Sequence, residues 1–498
     1  MPHPTVVIDG DVSSVPCRSI LPMLCAAALT LVVVVVASAA AAQETATTIP
    51  EVDAIFAPWD EPGSPGCALG VVEDGELAYE RGYGFANLDW DIPIATDTVF
   101  YVGSVSKQFT AAAIALLAQD GAIDLGDDIR EYFPEMPEYE RPIAVRNLVH
   151  HTSGLRDIYT LMALAGIRIE DVFTDEQAIA LIAAQRETNS APGDEYLYSN
   201  SGYFLLAQLV ERVSGKPLRE FAEEKIFAPL GMSDTHFHDQ LGHIIERRAI
   251  SYQPGGGNRG QGAGVGDFRV SYLGNFDKVG AGGLYTTVRD LLLWDRNFYT
   301  GDVGGATFLD LIHSRGLLTD GEQLTYAFGL TIDDYRGLRT VSHGGSMMGF
   351  KAAYLQFPEQ RFSVIATCNL GPINPMSLAQ RVADIYLEDR LAPPETRRPG
   401  GRSGSAPAAS GPFTSDELAA LAGTYYSDEL DVTYELTAEG DQLRLRLRNT
   451  PPRLLRKFDN GEARAGSWRL TFEHDADGMV SGFTINAGRV TNIRFHRR

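Results

Sequence analysis

The chain is poor in positive charge. Only six of its 498 residues are lysine, and 42 basic against 65 acidic side chains leave a net charge of −23. Phosphate backbones are bound by basic faces, so this balance excludes nucleic acid as a partner. The acidity itself serves solubility. Cysteine is scarce as well, with four residues at positions 17, 25, 67 and 368. No G-x-S-x-G elbow occurs, which argues against an alpha/beta-hydrolase. No H-E-x-x-H occurs either, and His150-His151 and His236-Phe-His238 lack partners at ligand spacing. Neither a metal nor another cofactor is therefore expected.

What is present begins with an apolar run, ILPMLCAAALTLVVVVVASAAAA, at residues 20–42. Arg18 precedes it and small residues lead into Gln43, the pattern of an export signal cleaved near Ala42. At 23 residues the run is also long enough to span a bilayer, so a retained anchor is the alternative and the only route to a membrane. Export to the periplasm or beyond follows from both readings. Only Cys67 and Cys368 survive cleavage. Each sits in a strand-like run, and two buried free thiols are expected in preference to a bridge.

Residues 43–391 read as one compact α+β unit. CALGVVEDGELAYERGYGFANL alternates like two strands around Glu73-Asp74-Gly75, and FKAAYLQFPEQRFSVIATCNL reads as a hairpin. Helices are expected over 105–119, over 203–213 and after Asp290. Strands at both ends with helices between imply a sheet assembled from both ends of the domain. Residues 392–414 are a Pro, Gly, Ser and Ala linker. Residues 415–498 alternate in short strands and read as a small all-β barrel. That segment carries 12 basic and 13 acidic residues, so the acidity belongs to the larger domain. GGGNRG at 255–260 matches a dinucleotide fingerprint only in letters. Pro254 precedes it and a Gly-rich run follows, so a surface loop is expected.

Three motifs carry chemistry. Ser104 and Lys107 are spaced i, i+3 at a helix start, so both side chains share one face, and no other lysine has a serine three residues before it. A desolvated lysine can activate an alcohol. Tyr198-Ser-Asn200 lies on a loop before a helix, and no other tyrosine has asparagine two positions on. His343-Gly344-Gly345-Ser346 sits on a strand whose glycines admit another backbone.

In this order, Ser-x-x-Lys, Tyr-x-Asn and His-Gly-Gly resemble the serine beta-lactamase and penicillin-binding-protein family. The likeness is nearest to its class C beta-lactamase, D-alanyl-D-alanine carboxypeptidase, D-aminopeptidase and esterase branch. LVHHTSGL at 148–155 and GAGGLYTTVRDLLLW at 280–294 agree. The resemblance implies a beta-lactamase/transpeptidase-like antiparallel sheet flanked by helices, with a lipocalin-like barrel appended. It implies that Ser104 forms an acyl-enzyme on a small or short-peptide acyl substrate, with Lys107 and Tyr198 sharing the proton work. Asn200, His343, Gly344 and Gly345 would bind substrate, and the backbone amides of Ser104 and Ser346 would form the oxyanion hole. His151 would be structural. A tyrosine of pKa about 10 must fall by about 3 units to act as a base at neutrality, and one cation supplies about 1 to 3 units. Lys107 and Tyr198 are therefore expected to titrate as a coupled pair, with His343 adding charge below neutrality. Relatives commonly place lysine where His343 stands. A neutral imidazole there favours peptidase or esterase activity over strong beta-lactamase activity. The alternative is a retired hydrolase fold that senses peptide or cell-wall fragments.

Overall fold

The computed structural model describes residues 49–255, 267–271, 275–394, 410–448 and 450–498. The expected export segment with Cys17 and Cys25, most of the Gly-rich loop and most of the linker lie outside the described residues.

A six-stranded antiparallel sheet forms the centre. Its strands are β1 (Cys67–Glu73), β2 (Glu76–Tyr83), β3 (Thr331–Tyr335), β4 (Leu338–Met347), β5 (Phe350–Phe357) and β6 (Phe362–Cys368), in the order β3-β4-β5-β6-β1-β2. The chain's two ends meet where β1 pairs with β6. Both strands are buried almost throughout because helices cover both faces. Leu69 and Val71 pack with Phe56 and with Leu378 and Val382 of a C-terminal helix. Ala68 and Val72 share a cluster with Val288, Leu291 and Trp294 on the other side. Gly70 lets that second layer approach, since a Cβ there would stand 2.3 Å from Val288 Cγ1.

Three helices carry or support the motifs. Gly103–Ser106 forms a single 3-10 turn that runs into α1 (Lys107–Gln119), so Ser104 lies one turn ahead of the helix that Lys107 opens. Helix α2 (Asn200–Ser214) starts at the asparagine of the second motif and ends at Gly215, whose φ of 72° is the left-handed stop glycine favours. Helix α3 (Val288–Thr300) opens with Thr287 Oγ1 accepting from Asp290 N at 3.0 Å. It begins ahead of the predicted start because that cap lies in the run TTVRD.

The C-terminal strands close into an eight-stranded barrel, from Gly423–Ser427 to Val490–Arg497, the last strand pairing back onto the first. A short helix, Ser415–Leu421, precedes it. Thr414 and Glu417 form a capping box there, a helix that strand alternation did not predict. The barrel interior is shared. Leu161, Leu164 and Ala165, on and just after helix Ile158–Leu164 of the larger domain, join the cluster of Tyr434, Leu445, Phe483 and Phe495. Tyr434 donates to the Leu164 carbonyl at 2.6 Å. The fully buried Arg156 pairs with Glu429 at 2.8 Å and donates to the Asn492 carbonyl at 3.2 Å.

The free-thiol expectation is corrected. Cys67 and Cys368 form a disulfide, because the β1–β6 register sets them directly opposite each other with Cα atoms 4.0 Å apart. The bond joins positions 301 residues apart, and constraining so long a loop stabilises a fold by about 2–5 kcal/mol. Dithiothreitol should lower the urea midpoint of the wild type by that equivalent and leave a Cys67→Ala/Cys368→Ala protein, already less stable, unmoved. Equal midpoints for wild type and double variant would show that the bond contributes nothing.

Candidate active site

A cleft of about 630 Å³ opens between the start of α2, strand β4 and one turn of the barrel. Ser104, Tyr198, Asn200, His343, Gly344, Gly345 and Ser346 all line it, so the three motifs converge. Lys107 lies just beneath, fully buried.

Lys107 Nζ has three close neighbours: the Ala281 carbonyl oxygen at 2.5 Å, Asn200 Oδ1 at 3.0 Å and Ser104 Oγ at 3.2 Å. Burial holds its pKa well below the ordinary lysine range. Asp157 works against this shift and Arg489 adds to it. An uncharged amine has two N–H donors and one lone pair. The Ala281 and Asn200 oxygens can only accept, so they take both donors. The lone pair is left to the serine hydroxyl.

Asn200 is oriented by Asp157. Asp157 Oδ2 accepts from Asn200 N at 2.9 Å and from Asn200 Nδ2 at 2.7 Å, which turns Oδ1 toward Lys107. Asp157 Oδ1 accepts from Thr160 N at 3.1 Å and so caps helix Ile158–Leu164. With both ends of its amide engaged, Asn200 positions the lysine, a role the motif alone did not indicate.

Tyr198 stands over this group, its ring centroid 4.8 Å from Lys107 Nζ. Burial raises its pKa, and hydrogen bonding to Ser104 and the nearby Arg489 only partly oppose this. The expected lowering toward neutrality is therefore reversed. The phenol keeps its proton, because desolvation outweighs the neighbouring guanidinium of Arg489. His151 braces the tyrosine loop from below. Its Nδ1 accepts from Ser199 N at 3.1 Å, its carbonyl accepts from Leu197 N at 2.9 Å, and its ring lies 4.1 Å from that of Tyr198.

His343 is neutral across the physiological range. Its Nδ1 lies 2.7 Å from the Gly344 carbonyl, which requires a proton on Nδ1, so Nε2 accepts from the Tyr326 hydroxyl at 3.1 Å. Burial, helped by Lys107, pushes its pKa down to about 4. The expectation of added charge just below neutrality is corrected accordingly.

The glycines differ in kind. A Cβ at Gly345 would fall 1.9 Å from the Val102 carbonyl oxygen and 3.3 Å from Ser104 N. Strand β4 thus lies directly against the turn that holds Ser104. A Cβ at Gly103, where φ is 55°, would lie 2.6 Å from Ser346 N, so the amides of Ser104 and Ser346 stand close together. At Gly344 the nearest atom, the Ala352 carbonyl oxygen, would be 3.9 Å away, an ordinary contact that leaves room for a side chain.

Two side chains in the cleft had no motif to reveal them. Lys351, across the β4–β5 hairpin from Ser346, lies 2.5 Å from Ser346 Oγ. Arg489 comes from the turn between the last two barrel strands. Its guanidinium lies 4.7 Å from the Tyr198 ring centroid and 3.6 Å from Asp157. Asn189 fixes that turn, donating to the Arg489 carbonyl at 2.8 Å and accepting from Thr491 N at 2.9 Å.

The family model described as Beta-lactamase matches residues 52–389. A D-aminopeptidase of Brucella anthropi is 32% identical over 311 residues, 61% of this chain and 56% of that protein. A D-aminopeptidase of Gluconobacter oxydans is 28% identical over 418 residues, 83% of this chain and 73% of that protein. The chain thus spans little more than half of the first relative. Among solved structures, the octameric penicillin-binding protein homologue from Pyrococcus abyssi aligns with a TM-score of 0.60 at 21% identity, covering 89% of this chain and 98% of that one. D-amino acid amidase from Ochrobactrum anthropi SV3, complexed with L-phenylalanine, aligns with a TM-score of 0.56 at 23% identity, covering 68% and 99%. At these identities the structures share the fold.

Gly345→Ala tests the contact between strand and nucleophile turn. It should cut labelling of Ser104 by a fluorophosphonate at least about 100-fold, since either turn or strand must shift. Intact-mass kinetics read this, and labelling within about threefold of wild type would show that the approach is not required.

Proposed function

The chain belongs to the Beta-lactamase family, and from that membership we propose that it is a serine hydrolase that forms an acyl-enzyme on Ser104 and cleaves D-amino-acid peptides or amides. The observation that carries the reading is the lone pair of an uncharged Lys107 facing Ser104 Oγ at 3.2 Å in a buried setting. A binding protein has no need of a base there. The relatives named D-aminopeptidase support the substrate class.

The roles belong to this proposal, and the geometry supports them. Ser104 Oγ attacks the carbonyl carbon as its proton passes to Lys107 Nζ. Negative charge collects on the carbonyl oxygen, where the amides of Ser104 and Ser346 receive it. Losing one such donor typically costs about 100- to 1000-fold. As the carbon–nitrogen bond breaks, Tyr198, still carrying its proton, gives it to the departing amine and regains one from the Lys107 ammonium. Water then attacks the ester, its proton returns through the same pair, and Ser104 leaves as the free alcohol. Lys107 is thus the base and Tyr198 the relay. Asn200 and Asp157 hold the base in place. Gly344 leaves room along the strand edge for substrate backbone, and neutral His343 shapes the cleft floor.

We also place the enzyme outside the cytoplasm. The apolar leader and the Cys67–Cys368 bridge support an oxidising compartment.

The base assignment makes a pH prediction. Activity needs uncharged Lys107, so kcat/KM should fall only as pH drops through its depressed pKa. Between about pH 8 and about 9.5 it should rise less steeply than the about tenfold per unit that an ordinary lysine of pKa about 10.4 would still be giving. Lys107→Ala should slow acylation at least about 1000-fold. Tyr198→Phe should cost about 100- to 10,000-fold, the usual worth of a proton-transfer group. A tenfold rise per unit across that window, or near wild-type turnover in Tyr198→Phe, would overturn the assignment.

A further inference from the structure

Segment 280–284, Gly-Ala-Gly-Gly-Leu, gives the site a single atom, the Ala281 carbonyl oxygen 2.5 Å from Lys107 Nζ. The stretch 101–110, which carries both Ser104 and Lys107, meets every residue of that segment. Thr110 Oγ1 donates to the Gly280 carbonyl at 2.9 Å, and Lys107 takes Ala281. Gly282 lies so close to the Tyr101 hydroxyl that a Cβ would collide with it. That hydroxyl accepts from Gly283 N at 2.9 Å. Ser106 Oγ accepts from Leu284 N at 3.1 Å and donates to the Gly103 carbonyl at 2.6 Å, which joins the segment to the turn that holds Ser104. On its other side the segment meets α2, where a Cβ at Gly280, whose φ is 100°, would run into the Tyr203 carbonyl. It is thus wedged between the helix of Lys107 and the helix that starts at Asn200. Tyr101, Ser106 and Thr110 are all buried.

Hydroxyls are costly to bury, and none of these three lines the cleft, so none can touch a substrate there. What they share is the segment. An uncharged amine turns about its Cε–Nζ bond unless both of its N–H groups are engaged. Asn200 engages one, and Asp157 fixes Asn200. The other needs the Ala281 carbonyl at a set place. We propose that Tyr101, Ser106 and Thr110 are positioning residues, whose hydroxyls clamp segment 280–284 so that the Ala281 carbonyl turns the Lys107 lone pair onto Ser104 and the segment keeps water from the amine. This rests on the reading of Lys107 as the base, and it divides the task of orienting that amine. Asp157 acts through Asn200, and the three hydroxyls act through Ala281. The titratable groups that face Lys107 are Asp157, Arg489, Tyr198, Tyr203, His151 and His343, and none of them belongs to the segment or is one of the three. Loss of a hydroxyl therefore changes no charge beside Lys107. It changes what the segment excludes.

Labelling of Ser104 and titration of Lys107 itself test this separately. The chain has six lysines, so lysine side chains labelled with carbon-13 give few signals in nuclear magnetic resonance, and the one absent from Lys107→Ala is Lys107. Tyr101→Phe, Ser106→Ala and Thr110→Val each remove one hydroxyl with little change of shape. Each should slow fluorophosphonate labelling of Ser104 about 10- to 100-fold, the usual worth of a small misplacement of a reacting group. With the segment loosened, water reaches the amine and relieves the burial that depresses its pKa. Lys107 should then titrate at higher pH than in the wild type, and the acid-side fall in labelling should move up in pH with it. Thr110→Ser, which keeps the hydroxyl, should restore most of the rate. Thermal melts of each variant report folding. Labelling at the wild-type rate in folded Ser106→Ala and Thr110→Val, or slowed labelling with an unmoved Lys107 titration, overturns the proposal. A folded wild type that never labels would sink the hydrolase reading, and the lysine titrations would still decide this inference.

Discussion

The candidate active site hangs on one buried carboxylate. Asp157 is 3% exposed, and a charge so placed persists only where several donors converge on it. Here they come from three parts of the chain. Thr160 makes it the cap of helix Ile158–Leu164, the backbone and side-chain N–H groups of Asn200 tie it to the start of α2, and Arg489 approaches from the barrel. The consequence reaches Ser104 by steps of hydrogen-bond direction. Asp157 can only accept from Asn200 Nδ2, so Asn200 must present its oxygen to Lys107. Lys107 must then donate to that oxygen and to Ala281. What remains to an uncharged amine is a lone pair, and Ser104 is the neighbour left to receive it. A carboxylate with no contact to the serine thereby sets the direction of the proton.

The same residue makes the barrel part of the site. Its turn is pinned by Asn189 on one side, and the Arg156–Glu429 pair lies buried in the same interface. Leu161 and Leu164, one and two turns after Asp157, reach into the barrel's apolar interior. The helix that Asp157 caps is therefore the helix on which the barrel sits. Displacing the barrel would expose those leucines, strip Arg156 of its partner and remove the cation beside Tyr198. The cost is shared between apolar burial and a buried ion pair, and breaking such a pair from one side commonly costs about 3–5 kcal/mol.

Much of this was legible in the sequence, and the reasons for the rest are physical. Ser104, Lys107, Tyr198, Asn200 and the His343–Ser346 run stand in short motifs, so local spacing reveals them. The strands at both ends of the domain announced a sheet closed by β1 and β6. Yet nothing local states that Cys67 and Cys368 fall opposite each other, because register is a property of the assembled sheet. Arg489 and Lys351 reach the cleft only through barrel closure and hairpin pairing, and their surroundings in sequence resemble any other turn or strand. The helix at Ser415–Leu421 was visible in Thr414-x-x-Glu417, but the alternation downstream obscured it. Tyr198 shows a different limit. Counting cations near a phenol suggests a lowered pKa, while burial, which a sequence does not display, drives it the other way.

The histidine at position 343 bears on how Lys107 is kept uncharged. An ammonium on that strand would repel a proton from Lys107 directly. His343, locked as a neutral imidazole between Gly344 and Tyr326, cannot do so at ordinary pH. The work falls to burial of Lys107, aided by Arg489 and opposed by Asp157. Burial does not depend on whether substrate is present, whereas a cation at the strand edge is partly neutralised whenever an anionic substrate sits on it.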